Sequence, residues 1–307
     1  DTASTHVIID GCGKTSIEYV YGGGNAAPAP ATNVKVYGTY KVNSIFGGGN
    51  GKDSIIVDGV KQANPGADVG IYKVSETVYN ATDPRLRYYD PGHEKGDDKY
   101  ILYGDTTGTK IGTTNVTFYG GIVTHLFGGS NTKGDIIKKA NVILGDENLM
   151  TCEFSIDDVY GGSNEAYMSG SSGIDMKCID GMGEVYGGSR MADVSQDVVL
   201  TISGGHYDKV FGGNNISGRI FGSITVNIEQ TGCLPIVIGE LYGGGNQAPY
   251  SVFGYDGNTP REQGDTLYHD PVINIISCDS IHKVFGDPTL TATITGSMES
   301  DVIDFSL

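Results

Sequence analysis

The chain has 307 residues, of which 48 are glycine, about twice the usual share of about 7%. The glycines follow no Gly-X-Y period and there are only 10 prolines, which excludes collagen and argues against a disordered Pro/Gly-rich linker. Lys and Arg number 20 against 37 Asp and Glu, a formal net charge of −17; with no basic run and no apolar stretch of about 18 residues, we expect neither nucleic-acid binding nor a membrane span.

One phrase recurs along the chain: an aliphatic residue, an aromatic residue, two glycines, a small residue and usually asparagine. Its eight copies begin at Val20, Ile45, Leu126, Val159, Val185, Val210, Leu241 and, in a decayed form, Val284. The shortest intervals between the first glycines of neighbouring copies, such as that from Gly22 to Gly47, indicate a repeat architecture with units of about 25 residues.

A second element precedes the phrase in several units and alternates apolar with polar residues. In chain order it covers residues 33–38, 115–121, 198–205 and 272–276. Such runs, rich in Val, Ile, Thr, Tyr and Phe and ending at a turn, are typical of short β-strands, and no segment has the apolar period of a helix. We expect the aliphatic residues of the phrase to stack in the core at about 4.8 Å, with the aromatic residues as a second column. Whether that aromatic column faces inward stays open.

Short strands, glycine corners and the repeat period predict an all-β fold: a single-stranded right-handed parallel β-helix of about 25-residue coils in one domain, residues 1–307. A β-propeller needs a period of about 40 residues or more, and the leucine-rich repeat consensus is missing. We expect the corner glycines to adopt positive φ, which glycine reaches without strain. Asparagine tolerates the same region, and its amide can hydrogen-bond along a stack of equivalent asparagines.

Three segments depart from the repeat. The interval from Gly47 to Gly128 is more than three times the shortest one, so we expect residues 51–113 to hold a degenerate coil plus an insertion at a corner. Residues 247–271 form a second insertion. Residues 291–307 lack the corner phrase, and we expect them to cap the edge of the final coil, which would otherwise be unpaired.

Both insertions concentrate tyrosine, arginine, histidine and carboxylates, and both leave the repeat after an equivalent corner. Loops on a regular scaffold are frequent binding sites, and aromatic rings and guanidinium groups suit sugar stacking and hydroxyl recognition. The candidate ligand-binding residues are Arg85, Arg87, Tyr88, Tyr89, His93, Tyr250, Tyr255, Arg261 and His269. The insertions can also be solvated loops without a specific ligand.

Catalysis by the insertions is a further hypothesis. It would use His93 with Glu94, or His269 with Asp270, as an acid–base pair. Adjacent residues on a strand point to opposite faces, which weakens both pairs. No catalytic residue is therefore assigned, and the isolated histidines His6, His125, His206 and His282 are expected to be ordinary surface or edge residues.

One segment suggests a metal ion. Residues 48–56 match the calcium-binding pattern G-G-x-G-x-D-x-U-x, with Asp53 as the acidic ligand. Calcium ions in that architecture sit between tandem copies, whereas this chain has a single copy, so a simple corner is the alternative. No other cofactor is expected.

The five cysteines are Cys12, Cys152, Cys178, Cys233 and Cys278. Because their number is odd and their positions are scattered, we expect no disulfide framework. Each is interpreted as a small buried apolar residue.

In its eight corner phrases, of which Val20-Tyr21-Gly22-Gly23-Gly24-Asn25 is the first, the chain resembles the glycine-rich parallel β-helix proteins that bacteria export to their surface, the adhesin-like and autotransporter-passenger group. The resemblance covers about residues 7–290. It implies a secreted or cell-surface location, with the signal peptide already removed. It also implies a non-enzymatic function, in which displayed loops bind a glycan or a host or cell-surface protein.

Two alternatives stay open. The same fold hosts polysaccharide-active enzymes, lyases or glycoside hydrolases such as pectate lyases and polygalacturonases, but their catalytic signatures are not found here and a net charge of −17 would repel a polyanionic substrate. The chain can also be a purely structural surface stalk. Fold likeness by itself decides none of these functions.

Overall fold

A computed structural model describes residues 4–51, 54–64, 66–73, 86–87, 101–103, 112–145, 152–231, 234–248, 255–256, 259–260, 271–286, 291–294 and 304–305. These residues are all-β, with 23 strands and no helix. Among them, no helix combines the length and the apolar character that crossing a bilayer requires.

Sixteen strands form one large sheet in which every pairing is parallel. They are β1 (Thr5–Tyr21), β2 (Thr32–Phe46), β8 (Thr113–Phe118), β9 (Gly121–Phe127), β10 (Lys139–Leu144), β11 (Phe154–Tyr160), β12 (Ser171–Met176), β13 (Ile179–Tyr186), β14 (Val198–Ile202), β15 (Gly205–Phe211), β16 (Ile224–Glu229), β17 (Ile236–Tyr242), β20 (Val272–Ser277), β21 (Ser280–Phe285), β22 (Thr291–Ile294) and β23 (Asp304–Phe305). The remaining seven form small antiparallel sheets: β3 (Ile55–Val57), β4 (Val60–Gln62), β5 (Ile71–Lys73), β6 (Leu86–Arg87), β7 (Ile101–Tyr103), β18 (Tyr255–Asp256) and β19 (Thr259–Pro260).

The chain visits two rows of parallel strands alternately. The first row contains β8, β10, β12, β14, β16 and β20, and the second contains β9, β11, β13, β15, β17 and β21. β2 serves both rows, because its beginning pairs with β8 and its end pairs with β9. β1 pairs along β2 at one end of the sheet, and β22 and β23 pair with β20 and β21 at the other.

A third row consists of single bridge residues between the second-row strand of one unit and the first-row strand of the next. It includes Ala29, Val69, Ile136, Met168, Val194 and Ile220. Each repeat unit thus adds strand residues to the first two rows, and the first six units also add one bridge residue to the third. The units begin at residues 5, 32, 113, 139, 171, 198, 224 and 272 and are numbered 1 to 8.

The aliphatic residues of the repeat stack in the core, as predicted. Equivalent residues such as Val159, Val185 and Val210 face one another directly across neighbouring strands, and all eight members of the column are at most 5% exposed. The strands predicted within residues 33–38, 115–121, 198–205 and 272–276 are also present, as β2, β8, β14 and β20.

The aromatic residues of the repeat form a continuous stack of rings separate from the main core. The rings are Tyr21, Phe46, Phe127, Tyr160, Tyr186, Phe211, Tyr242 and Phe285. Neighbouring centroids lie 4.4–5.1 Å apart, and the middle rings are buried. The predicted stacking is confirmed, and the column is a second buried layer rather than an exposed face.

The paired glycines of the repeat are not at positive φ, so the physical reason given for them by the sequence analysis is wrong. Positive φ occurs at other glycines, for example Gly121 and Gly205 at the starts of second-row strands. A Cβ on Gly47, Gly128 or Gly161 would instead lie less than 3.0 Å from the carbonyl oxygen of the equivalent glycine in the next unit. Close stacking of the units, not turn geometry, therefore requires the first glycine of each pair.

The second glycine leaves room for a buried polar side chain of the following unit. A Cβ on Gly129 would overlap the hydroxyl oxygen of Ser163, which accepts a hydrogen bond from the Ser130 N–H at 3.0 Å. The same bond joins the Ser163 N–H to Ser189 at 3.1 Å and the Ser189 N–H to Asn214 at 2.7 Å. These bonds satisfy backbone groups that burial would otherwise leave unpaired.

The corner asparagines form the predicted stack of amide hydrogen bonds. The side-chain amide of Asn50 donates to Asn25 at 3.1 Å, and the bond repeats from Asn131 to Asn50 and from Asn164 to Asn131, both at 2.9 Å. In unit 5 the position holds Arg190, whose guanidinium donates to Asn164 at 3.2 Å. None of these residues has positive φ, so they stabilise the stack of hydrogen bonds and are not required by the geometry of the turn.

The long interval between Gly47 and Gly128 is one unit interrupted twice. A Cβ on Gly70 would lie 2.7 Å from the Cα of Gly112, so residues 71–111 leave and rejoin the unit at the same point. A second interruption, residues 52–65, contains the β3–β4 hairpin. Without these two segments, the interval between the two glycines has the length of a regular unit. Residues 51–113 therefore contain no additional repeat unit between β2 and β8, and these two strands pair directly.

The expectation that no cysteine is disulfide-bonded is wrong. Cys12 of β1 is bonded to Cys152, which precedes β11. The sulfurs pack over Gly38, where a Cβ would overlap both of them. Cys178 is also disulfide-bonded, and only Cys278 is a free, buried thiol among the described residues. The pairing of Cys12 with Cys152 joins residues 140 positions apart that only the stacking of the units brings together.

The stacking constraint predicts the effect of adding one methyl group. Gly128→Ala places a Cβ within 3.0 Å of the Gly161 carbonyl and of a Val142 methyl, and we expect a loss of about 2–3 kcal/mol in the free energy of unfolding. Gly13→Ala is the control, because a Cβ there meets nothing within 4 Å, and it should stay within about 0.5 kcal/mol. Denaturant unfolding of both variants measures the difference; equal stability would contradict the account of the corner.

Candidate functional site

Most of the ligand-binding residues predicted from the sequence lie outside the described residues. These are Arg85, Tyr88, Tyr89, His93, Tyr250, Arg261 and His269, together with Glu94, Asp270 and the calcium candidate Asp53. Two can be placed by their backbone: Arg87 lies on β6 and pairs with Ile101 of β7, and Tyr255 lies on β18 and pairs with Pro260. Each belongs to a small antiparallel sheet outside the large parallel one.

A depression lies on the outer face of the first row. Outward-facing amides form a second stack there, in which Asn141 donates to Asn115 at 3.1 Å and Asn115 donates to Asn33 at 3.3 Å. The residue that faces Asn141 on the next strand is Gly173, and Val199 follows it. Since Gly173 has no side chain, the stack stops and the surface is recessed at this point.

The recess holds about 390 Å³ and mixes charged, amide, hydroxyl and apolar groups. Its lining residues are Asn115, Lys139, Asn141, Val142, Ile143, Gly173, Ile174, Asp175, Val199 and Thr201. The Lys139 side chain lies beside the gap, because a Cβ on Gly173 would be 3.1 Å from its Cε and 3.3 Å from its Nζ. Pairing across the strands places Asp175 beside Thr201 on the same face. Such a surface can donate and accept hydrogen bonds at several points.

The outer face of the second row carries a column of charges. It runs through His125, Asp158, Glu184, Lys209, Glu240 and Lys283 on successive strands. Nδ1 of His125 lies 2.8 Å from Asp158, Lys209 lies 3.3 Å from Glu184 and Lys283 lies 3.2 Å from Glu240. These pairs are partly exposed, so each contributes little to stability.

The charges and the aromatic stack interact. The hydroxyls of Tyr186 and Tyr242 donate to the carboxylates of Glu184 and Glu240, at 2.7 and 2.8 Å. Burial and the neighbouring carboxylate raise the pKa of Tyr242 to about 12. Conversely, the hydrogen bonds from Tyr242 and Lys283 lower the pKa of Glu240. The phenols therefore stay protonated and hold the carboxylates in place.

His125 was expected to be an ordinary surface residue, yet it is bonded to a carboxylate. The hydrogen bond to Asp158 is the main reason that the pKa of His125 is raised. No spacing in the sequence reveals this pair, because the residues are 33 positions apart and meet only by strand register.

A partly buried carboxylate lies next to the third row. Asp135 accepts hydrogen bonds from the backbone N–H of Ser169, at 2.6 Å, and from the Ser169 hydroxyl. Burial is the largest effect on its pKa, which is raised from 3.8 to about 6. Asp68 of the preceding unit, whose carboxylate accepts the Asp135 N–H at 2.8 Å, raises it further.

No local motif in the sequence marks Lys139, Asn141, Gly173 or Asp175 as site residues. The available signal is the alignment of the units, in which Gly173 occupies a position held by asparagine in three earlier units. No group of three or more His, Cys, Asp or Glu side chains in the described part of the chain is arranged to hold a metal ion. Protein-family models, curated proteins and solved structures contain no match to this chain.

The His125–Asp158 pair predicts a pH-dependent contribution to stability. Because the folded-state pKa of His125 is raised, its stabilising effect is complete below the unfolded value of about 6.5 and is lost as the pH rises through the folded value. Asp158→Asn should lower the His125 pKa in an NMR titration of the imidazole. Asp157→Asn, the exposed neighbour, is the control and should change it less. An unchanged pKa in Asp158→Asn would contradict the pairing.

The raised pKa of Asp135 predicts a second pH-dependent contribution to stability. Its folded-state pKa lies above the unfolded value, so folding is favoured at low pH and loses up to about 3 kcal/mol as the pH rises from about 4 to above 6. Asp135→Asn keeps an acceptor for the Ser169 N–H without the charge. In denaturant titrations the variant should equal the wild type near pH 4 and be more stable at pH 7. A difference that is constant across this range would contradict the prediction.

Proposed function

We propose that this chain is an exported, right-handed parallel β-helix that displays surface sites for a glycan or a cell-surface protein without catalysing a reaction. The first six units each contribute to three rows, and equivalent residues of successive units stand in register. A chain that returns to the same three rows in successive units winds as a helix of coils. Right-handed winding is the rule for connections between parallel strands.

The disulfides support export. Cys12 and Cys152 form one, and Cys178 belongs to another. Disulfides persist in oxidising compartments and are rare in the cytosol. The net charge of −17 and the resemblance to exported bacterial β-helix proteins favour the same location.

One observation carries the display function: both long insertions lie between a second-row strand and the first-row strand of the next unit, one between β2 and β8 and the other between β17 and β20. Residues 71–111 follow the third-row residue Val69 of unit 2, and the segment after Ala248 stands between the second and first rows at the end of unit 7. Unit 7 lies five strand spacings from unit 2, a distance of about 24 Å. The strands of the units between them continue in register, so both insertions are attached to one regular support, on the side where the chain passes from the second row to the first.

The geometry offers a clean test of the role of the first insertion. Deleting residues 71–111 joins Gly70 to Gly112, which are already adjacent, and restores the spacing of unit 4, where Ser169 and Gly170 connect Met168 to β12. The variant should therefore keep the strand content and the unfolding transition of the full chain. Deletion of residues 52–65, which removes the β3–β4 hairpin and joins Gly51 to Gly66, is the matched control.

Binding is measured on a glycan microarray and on intact cells, with the fluorescently labelled full chain. We expect the full chain and the hairpin deletion to bind, and the deletion of residues 71–111 to lose at least tenfold in affinity. Absence of any binding by the full chain would overturn the proposed function. Release of reducing or unsaturated sugar ends from polysaccharides by the purified chain would overturn its non-enzymatic character.

A further inference from the structure

We propose that the recess over Gly173 is a binding subsite for one uncharged pyranose residue of a glycan. The inference rests on the proposed function and gives it a place and a ligand class. The site belongs to the regular strands β8, β10, β12 and β14 and not to the insertions, and no feature of the repeat requires it.

The recess exists because one stack of side chains is interrupted. Asn33, Asn115 and Asn141 form a continuous amide stack in which Asn141 donates to Asn115 and Asn115 donates to Asn33. The next member is Gly173, so the amide oxygen of Asn141 accepts no hydrogen bond from the residues that the structure describes. The stack thus ends on an unused acceptor at the bottom of a cavity of about 390 Å³, within the range of small-molecule sites, roughly 300–1,000 Å³.

Two charged groups at the same recess also lack protein partners. Neither the ammonium of Lys139 nor the carboxylate of Asp175 makes a hydrogen bond or ion pair within the described ranges. Lys139 supplies donors, Asp175 and the Asn141 oxygen supply acceptors, and the Thr201 hydroxyl can do either. A sugar hydroxyl is both donor and acceptor, so a ring that bears several hydroxyls satisfies all of these groups together.

The charge of the recess favours an uncharged ligand. One cation and one anion among the lining residues sum to zero, and the chain as a whole has a net charge of −17, which disfavours a polyanionic glycan. Val199, 36% exposed, and the partly exposed Ile143 give the recess an apolar border. The C–H face of a pyranose ring can pack on these two side chains while its hydroxyls reach the polar groups.

Gly173 differs from the corner glycines in a way that makes the inference testable. A Cβ there would approach only the flexible end of Lys139, at 3.1 and 3.3 Å, and the Val199 carbonyl oxygen at 3.8 Å, and its φ is not positive. A side chain at this position is therefore compatible with the fold. In Gly173→Asn, the new amide would continue the stack by donating to Asn141 and would fill the recess.

The experiment compares Gly173→Asn, Lys139→Met and the control Thr225→Asn in the full chain, on a microarray that carries neutral and uronate-containing glycans. Thr225 faces Val199 in the same outward column but does not line the recess. We expect Gly173→Asn and Lys139→Met to bind neutral glycans at least tenfold more weakly than the wild type, with no loss of thermal stability, and Thr225→Asn to bind normally.

Any other result would overturn the proposed subsite. The pattern of binding also shows whether the subsite alone fails or the proposed display function fails with it. If neutral glycans bind equally to Gly173→Asn but not to the chain without residues 71–111, the subsite is wrong and the display function stands. If only uronate-containing glycans bind, the ligand class is wrong. If the wild type binds no glycan, both proposals fail for glycans. Unfolding of Gly173→Asn is detected by its melting curve, and Lys139→Met then decides alone.

Discussion

Equivalent residues of successive units stand one strand spacing apart, about 4.8 Å, and this distance decides which side chain each position accepts. Where backbones approach more closely, at the first glycine of each corner, a Cβ would overlap the carbonyl of the next unit. Where side chains stack, planar rings and asparagine amides contact copies of themselves, and a serine hydroxyl accepts the backbone N–H of the preceding unit. The glycines, aromatic residues, asparagines and small polar residues of the repeat phrase are the residues that meet these requirements.

The same distance governs charge, because like charges at equivalent positions would repel one another. Along the outer face of the second row, Lys209 lies between Glu184 and Glu240. At the one place in this column where two carboxylates are neighbours, Asp158 is bonded to His125 and Glu184 to Lys209 and the Tyr186 hydroxyl. The pKa of Asp135 is raised because burial and the neighbouring carboxylate of Asp68 outweigh the hydrogen bonds from Ser169, which lower it.

Because regular positions are so constrained, specific chemistry is confined to places where the pattern is broken. The chain has two kinds of break. Insertions such as residues 71–111 leave the repeat between neighbouring residues of one unit, and the strands of the other units stay paired in register. At Gly173 the backbone continues and only a side chain is missing, which exposes the end of an amide stack and two charges that have no partner among the described residues. The proposed display function uses the insertions, and the proposed sugar subsite uses the missing side chain at Gly173.

The sequence by itself determined the all-β class, the strands, the buried aliphatic column and the asparagine stack, because each depends on a local pattern repeated about every 25 residues. Only the tertiary structure decided the reason for the corner glycines, the Cys12–Cys152 disulfide, the His125–Asp158 pair and the recess at Gly173. Each depends on contacts between units, across sequence separations set by insertions of irregular length. The spacing between corners varies more than threefold along the chain. Residues that strand register places side by side therefore cannot be paired from their positions in the sequence.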